Sequence, residues 1–463
     1  MAPVEILIVG CGVAGPTLAT FLLLISDVPP AQKPHITVVE RASERVAHTR
    51  GQNIDVRGAG VAVLRQLGIE GLVRRSTTGE EGVRLVDGRD RVWAQSATDR
   101  TGSVQTPTAD IEILRGRLSE ICWRNSLRVC ADVEQEEGGR GIEYIFGDYV
   151  EELSQEDGDK VRVRFAKSGV RRGFDLVVGA DGLHSRTRKL VWGEEGEADR
   201  IKRLGMYAGF FSIPREEKTD DQWRRWFHAP GRRGVMLRPD GTGTRTTVLL
   251  SVVKSVEEEN QKMADLAAMG HAGVGSQKAM LEEHFCDAGW ECERVLREMK
   301  TTDDFYFDMV AQVKMNKWSK GRVVLLGDAG YCASPVSGLG TTLAFTAAYN
   351  LAGCLQEFIK GTMPDPSPAL AEYEAKMRPV VEEAQHLAPG QAYLMHPETA
   401  LGIRMLHLFA SFVLNVKLLF TLLGKLIPFG PQMANDVPLE DYRFRTVPEW
   451  ELEDASFEQA KQE

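Results

Sequence analysis

Residues 4–25 read VEILIVGCGVAGPTLATFLLLI: an apolar run, a Gly10-x-Gly12-x-x-Gly15 turn, and a second apolar run with helical spacing. Each glycine has a separate physical task. Gly10 permits a tight turn, Gly12 lets a pyrophosphate approach the backbone, and Gly15 lets a helix pack on the preceding strand. The helix start then turns free N–H groups and the positive end of its dipole toward the phosphates. Pro16 fits the first helical turn. A second predicted strand, HITVVE (35–40), ends on Glu40, whose carboxylate suits the two hydroxyls of an adenosine ribose. The interval from Gly15 exceeds the usual spacing because SDVPPAQKPH is a loop-like insertion. Strand, glycine turn, helix, strand and acid together imply an adenine dinucleotide, without choosing between NAD and FAD.

Two further stretches repeat the strand-to-acid pattern. FDLVVGADGLHSRTRKLV (174–191) is a buried strand opening at Asp181, with Ser185 and Arg188 following. VVLLGDAGYCASPVSGLGTTLAF (323–345) is another, opening at Asp328 into a loop of Ala, Gly, Ser and Pro. A loop so poor in side chains suits a large ligand lying against its backbone. Between the first and second anchors, IEILRGRLSEIC (111–122) places Arg115 at the head of an amphipathic helix, within reach of a phosphate or ribose.

The 463-residue chain is long enough for more than one lobe. Its net charge of −10 argues against nucleic acid as a partner, since phosphate binding needs a basic surface. Seven scattered cysteines include no C-x-x-C and no histidines at zinc spacing, so reduced thiols, a cytoplasmic location and no metal are expected. The apolar start reads as a buried strand and not as a secretory leader. No second Gly-x-Gly-x-x-Gly follows a strand, which disfavours a reductase with its own nicotinamide domain. The missing redox cysteine pair disfavours a disulfide reductase.

The combination of Gly-x-Gly-x-x-Gly, Arg-x-x-Leu, Gly-Ala-Asp-Gly and Gly-Asp-Ala with a downstream Pro-x-x-Gly-x-Gly resembles the single-component FAD-dependent aromatic hydroxylases of the para-hydroxybenzoate hydroxylase type. GQNIDVRGAGVAVLRQLGI (51–69) is most similar to their tetracycline-inactivating and secondary-metabolite tailoring branch. The resemblance implies an α/β fold: a Rossmann-like FAD-binding domain, an inserted β-sheet substrate domain and a C-terminal helical region. The expected boundaries are 1–75, 105–187 and 300–375 for the first and 76–104 and 188–299 for the second. Residues 376–450 are assigned to the helical region and 451–463 to a polar tail. The resemblance also assigns roles. Gly10, Gly12, Gly15 and Glu40 hold the ADP half, with Arg115 near its ribose and phosphates. Asp328 meets the ribityl and pyrophosphate region, and Asp181 lies in a groove shared by FAD and NAD(P)H. The stretch from Pro335 through Gly338, Gly340 and Thr341 to Thr342 runs beside the isoalloxazine ring. Where the family often has a histidine after Gly-Asp-Ala-Ala, this chain has Gly330 and Tyr331. Thr341, Thr342, Thr346 and Ala347 stand where Asn and Glu-Asp are frequent.

In this family NADPH or NADH docks transiently as co-substrate, and O2 forms a flavin C4a-hydroperoxide that hydroxylates an aromatic or polyketide-like small molecule. The flavin carries the chemistry, so no catalytic side chain is assigned. The alternatives are an epoxidase of an isoprenoid alkene, a dehydrogenase or reductase without oxygen insertion, and a flavin-bearing scaffold whose redox state controls a partner. EGVRLVDGRDRVWAQS (81–96) reads as a hairpin about Asp87-Gly88, and MYAGFFSI, QWRRWFHA, GVMLRP and TRTTVLLSVV as further strands. Substrate-pocket candidates on them are Phe211, Trp226, His228 (a possible base toward a phenol) and Met236, together with Arg50 near the flavin. The apolar stretch 401–430 is expected to pack on the FAD lobe. A peripheral membrane or dimer face and a membrane span are the alternatives; its longest uncharged run, Met405–Val416, is too short to span. Monomer and homodimer are both open.

Overall fold

The computed structural model describes residues 3–44, 51–98, 109–136, 141–156, 159–388, 390–423 and 439–450. Arg50 and the tail 451–463 lie outside the described residues. Strands are numbered in chain order.

The first sheet is built from β1 (Glu5–Val9), β2 (His35–Glu40), β7 (Ile142–Phe146), β11 (Leu176–Gly179), β17 (Ser319–Lys320) and β18 (Val323–Leu325). Their order is β17-β18-β11-β1-β2-β7, and every pair except β17–β18 is parallel. Parallel strands need cover on both faces, which is why these runs are apolar nearly throughout. Ile6 and Ile8 face helices Ala14–Leu23, Arg115–Gln135 and Gly340–Cys354. Leu7, Val9 and Val177 face a small antiparallel sheet of β8 (Val150–Ser154), β9 (Val161–Phe165) and β10 (Arg171–Phe174). The first core therefore has three layers. A two-stranded ladder of β3 (Asn53–Val56) and β6 (Ile111–Leu114) stands beside it.

The second sheet has seven strands in the order β16-β12-β15-β14-β13-β4-β5. They are β4 (Gly82–Val86), β5 (Val92–Ala97), β12 (Ile201–Pro214), β13 (Trp223–Ala229), β14 (Arg233–Pro239), β15 (Arg245–Val253) and β16 (Tyr306–Val313). The expected hairpin β4–β5 forms about Asp87-Gly88, and the predicted strands β14 and β15 pair antiparallel about Asp240-Gly241. The edge strand β16 belongs to this sheet, although the sequence reading groups residues 300–375 with the nucleotide lobe. Alternation sorts its side chains. Phe211, Phe227, Val235, Leu237, Val248 and Leu250 pack under the outer helices Glu257–Ala268, Val274–Phe285 and Cys292–Thr301. The intervening residues face the other way and meet the β3–β6 ladder. Thr247 Oγ1 donates to Asn53 Oδ1 (2.7 Å), Arg238 pairs with Glu112 (2.9 Å), and the Tyr306 hydroxyl bonds Gln52.

The C-terminal part differs from the expected helical region in two respects. Helix Ala400–Leu423 lies against β5 and β13 of the seven-stranded sheet and not on the nucleotide lobe, because Ile403 and His407 pack there. Among the described residues no helix is long and apolar enough to cross a membrane; residues 424–430 of the apolar stretch lie outside the described residues. Residues 439–450 are not helical. They run extended over the nucleotide lobe, where Phe444 packs on Phe21 and Tyr349 and the Tyr442 ring fills the notch left by Gly353. All seven cysteines are free, and six are buried. Deleting residues 439–463 should uncover Phe21 and Tyr349 and lower the thermal midpoint by at least about 3 °C, read by differential scanning fluorimetry.

Candidate functional site: a dinucleotide crevice under a sheet

Four parallel strands, β2, β1, β11 and β18, end side by side. Val39 is in register with Val9, Val9 with Gly179, and Gly179 with Leu325. Glu40, the Gly10 turn, Asp181 and Asp328 therefore emerge along one edge. Three inter-strand steps span roughly 14 Å, the scale of an extended dinucleotide. A crevice at the carboxyl ends of parallel strands is where such ligands bind.

The glycines can be tested one by one. Gly10 has φ +112°, and a Cβ there would lie 2.5 Å from the Ala180 carbonyl oxygen. At Gly15 it would lie 2.1 Å from the Gly10 carbonyl oxygen. Both are demanded by the protein itself. A Cβ at Gly12 would meet nothing within 4 Å, and the same holds at Gly182 and Gly338. These three border open space, which is what a backbone lying against a ligand requires.

Glu40 closes one end. Its two carboxylate oxygens accept the Cys11 N–H (3.0 Å) and the Ala42 N–H (2.9 Å), leaving lone pairs for ribose hydroxyls. Asp181 is held by residues of its own turn. Ser185 Oγ donates to one oxygen (2.6 Å), and the Thr187 N–H and Oγ1 donate to the other (2.9 and 3.1 Å). Its carboxylate shapes the turn beside Gly10 and anchors the start of helix Arg186–Trp192. The sequence named Arg188 without a role. Its fully buried guanidinium donates to the Ala329 carbonyl (2.6 Å) and the Leu183 carbonyl (2.8 Å) and pairs with Glu197, so it ties the Asp181 turn to the Asp328 turn.

Asp328 sits at the bottom of the crevice, walled by protein yet reachable by solvent. Burial pushes its carboxyl pKa up, opposed by a hydrogen bond with Cys332 and by the Arg115 guanidinium. Arg115 is exposed at the head of its helix, where its N–H donates to Gln52 (3.0 Å). Beyond Asp328 the chain makes a 3₁₀ turn, Pro335–Ser337, between Ser334 (φ +77°) and Gly338 (φ +66°). Helix Gly340–Cys354 follows with no side-chain cap, so the amides of Gly340 and Thr341 have no intrahelical acceptor. Tyr331, at the departure from the family pattern, turns into the core, where its hydroxyl meets Tyr373 and its ring packs on Trp318. Gly330 must be small because a Cβ would lie 2.9 Å from Leu325 Cβ. Thr342 is also structural: it accepts the Arg57 N–H (3.1 Å) and donates to the Arg57 carbonyl (3.2 Å).

Over the β3–β6 ladder lies the inner face of the seven-stranded sheet. It carries Trp226, His228 and Met236 together, as i and i+2 on β13 and as a cross-strand pair, Trp226 opposite Met236. Phe211 is a correction. It points into the outer cluster against Phe305, and its neighbour Phe210, stacked on Tyr306 at 4.8 Å, takes the inner face. A shift of one residue reverses the face of a strand, and two consecutive phenylalanines gave no sign of which was inside.

His228 is also unsuited to act as a base. Burial, with His396 and His407 beside it, pulls its pKa down to about 3. His228 Nδ1 lies 3.4 Å from His407 Nε2, and Ser251 Oγ lies 2.8 Å from His396 Nε2. These neutral rings fasten the C-terminal helix and its approach to the sheet.

Fold and crevice together define an FAD-binding flavoenzyme. The family model described as "FAD binding domain" matches residues 3–388, and the chain belongs to that family. "FAD-dependent monooxygenase asL6" of Sarocladium schorii is 36% identical over 389 residues, 83% of this chain and 86% of the relative. "Monooxygenase CTB7" of Cercospora beticola is 32% identical over 416 residues, 88% and 92% of the two chains. Among solved structures, tetracycline destructase Tet(51) superposes with a TM-score of 0.67 at 27% identity, covering 95% of this chain and 99% of that one. The protein is an FAD-dependent monooxygenase.

Two outcomes follow from the geometry. Gly12→Val should leave the apoprotein melting like the wild-type apoprotein, yet abolish FAD uptake measured by the flavin spectrum. Gly15→Ala should instead destabilise the fold itself, by about 3 kcal/mol or more in denaturant melts. For the histidines, the folded pKa of His396 is lowered to about 4, below the unfolded value of about 6.5. The unfolded state then binds the extra proton, so stability is lost as pH falls from about 6.5 toward 4. His396→Gln should flatten that loss by up to about 1.4 kcal/mol per pH unit in thermal melts compared across pH.

Proposed function

We propose that this monooxygenase draws electrons from NADPH or NADH and inserts one atom of O2 into an aromatic or polyketide-like small molecule. The observation that carries the reading is the placement of an aromatic sheet face, Phe210, Trp226 and Met236, on the side of the sheet that meets β3 and β6. β3 in turn leads into Arg57, which bonds Thr342 at the head of helix Gly340–Cys354. A flat apolar substrate would stack there beside the ring-binding loop.

The chain's own groups have distinct tasks. Glu40 and the Gly10–Gly15 turn would hold the adenosine diphosphate half, and Arg115 and Asp328 would meet the phosphate and ribityl region. The Gly338–Thr341 amides would lie beside the ring, where fixed N–H dipoles would stabilise negative charge. Bound FAD supplies the reduction of O2 and the oxygen transfer. The sheet contributes orientation and exclusion of water, holding the substrate carbon near the reacting edge. His228, neutral and fastened to the C-terminal helix, keeps the sheet in place. Monomer and homodimer both accommodate this arrangement.

The test is turnover under ¹⁸O2 with NADPH or NADH and a panel of phenolic and polyketide substrates. The expected product gains one labelled oxygen, and substrate accelerates NAD(P)H oxidation. Oxidation ending only in hydrogen peroxide, or an unlabelled desaturated product, would contradict insertion. Trp226→Ala should raise KM for a productive substrate about tenfold or more while FAD content stays unchanged.

A further inference from the structure

Helix Ala400–Leu423 presents an apolar stripe that no described residue covers. Leu401, Met405, Leu408, Phe409 and Phe412 are 69, 59, 53, 66 and 65% exposed. Their spacing, i, i+4, i+7, i+8 and i+11, places them on one side of the helix. Ile403 and His407, on the opposite side, are buried against the sheet. Large aromatic side chains exposed in a continuous strip mark a contact surface.

The charge pattern says what covers it. From Thr399 to Asn435 the chain has no Asp or Glu, but it contains Arg404, Lys417 and Lys425. In a chain of net charge −10 this is a local reversal of sign. Arg404 is exposed beside the stripe and has no ion-pair partner among the described residues. Among the described residues no helix is long and apolar enough to cross a membrane. An apolar face with an exposed arginine beside it, in a stretch of sequence free of acids, suits the headgroup–acyl boundary of an anionic membrane, where such a helix lies in the plane of the interface. A second copy of the helix fits less well, because the helix Ala400–Leu423 carries Arg404 and no acid of its own to meet it.

We propose that the exposed face formed by Leu401, Met405, Leu408, Phe409 and Phe412 docks this enzyme on the surface of an anionic lipid bilayer. Phe409 and Phe412 enter the acyl boundary, and Arg404 meets lipid phosphates or carboxylates. The buried side of the same helix touches β13 next to Trp226, so the bilayer would lie about one helix diameter, roughly 10 Å, from the aromatic sheet face.

The experiment is flotation of the full-length, FAD-loaded protein with vesicles of phosphatidylcholine alone and with about 30% phosphatidylserine, run in parallel with sedimentation velocity without lipid. The expected result is binding to the anionic vesicles, weakened by salt and at least about tenfold lower on neutral ones. Phe409→Glu with Phe412→Glu should abolish flotation, and Arg404→Glu should weaken it, with the flavin spectrum and melting midpoint retained. Failure of the wild type to float overturns the proposal, as does flotation unaffected by the double substitution. A dimer that the double substitution dissociates, without vesicle binding, would assign the face to self-association.

Discussion

The structure depends on the parallel register of β2, β1, β11 and β18. Parallel pairing points all four carboxyl ends the same way, and their hydrogen-bonded register sets those ends level. Segments separated by some three hundred residues of sequence thereby become neighbours at strand spacing. Glu40, the Gly10 turn and Asp328 need no direct contact with one another to line one crevice; the sheet sets the distance between them. Parallel strands have to be buried on both faces, so the helices on one side and the β8–β10 sheet on the other are conditions of the crevice.

Around this edge the charged residues divide into those available to a ligand and those the protein uses itself. Glu40 retains free acceptor capacity, and Arg115 and Asp328 are open to the crevice. Asp181 and Arg188 are consumed in holding the turns, the first by Ser185 and Thr187, the second by Ala329, Leu183 and Glu197. A buried guanidinium bonded to two carbonyls from different turns fixes their separation, and leaving either carbonyl unpaired would be costly.

Much of this was legible in the sequence because glycine patterns and strand-terminal acids are local signals with a fixed geometry. The hairpin at Asp87-Gly88 was legible for the same reason. What escaped notice was decided by tertiary contact. Phe210 and Phe211 are the same residue type one position apart, and only the docked outer helices determine which is inside. The C-terminal helix was expected on the nucleotide lobe from its apolar content, whereas Ile403 and His407 find their partners on the substrate sheet. The extended 439–450 segment depends on the notch at Gly353, which no sequence period encodes. Tyr331 replaced an expected histidine without loss to the fold, since its ring completes a buried cluster with Trp318 and Tyr373.

The account stands on one long prosthetic group being gripped at both ends by this strand edge. The most direct measurement is the electron density of FAD in crystals of the reconstituted protein. The account requires one FAD per chain, with its adenosine ribose on Glu40, its pyrophosphate over Gly12 and its ring against Gly338–Thr341. Density that places the ribose away from Glu40, or a correctly folded protein that refuses the flavin altogether, would contradict it.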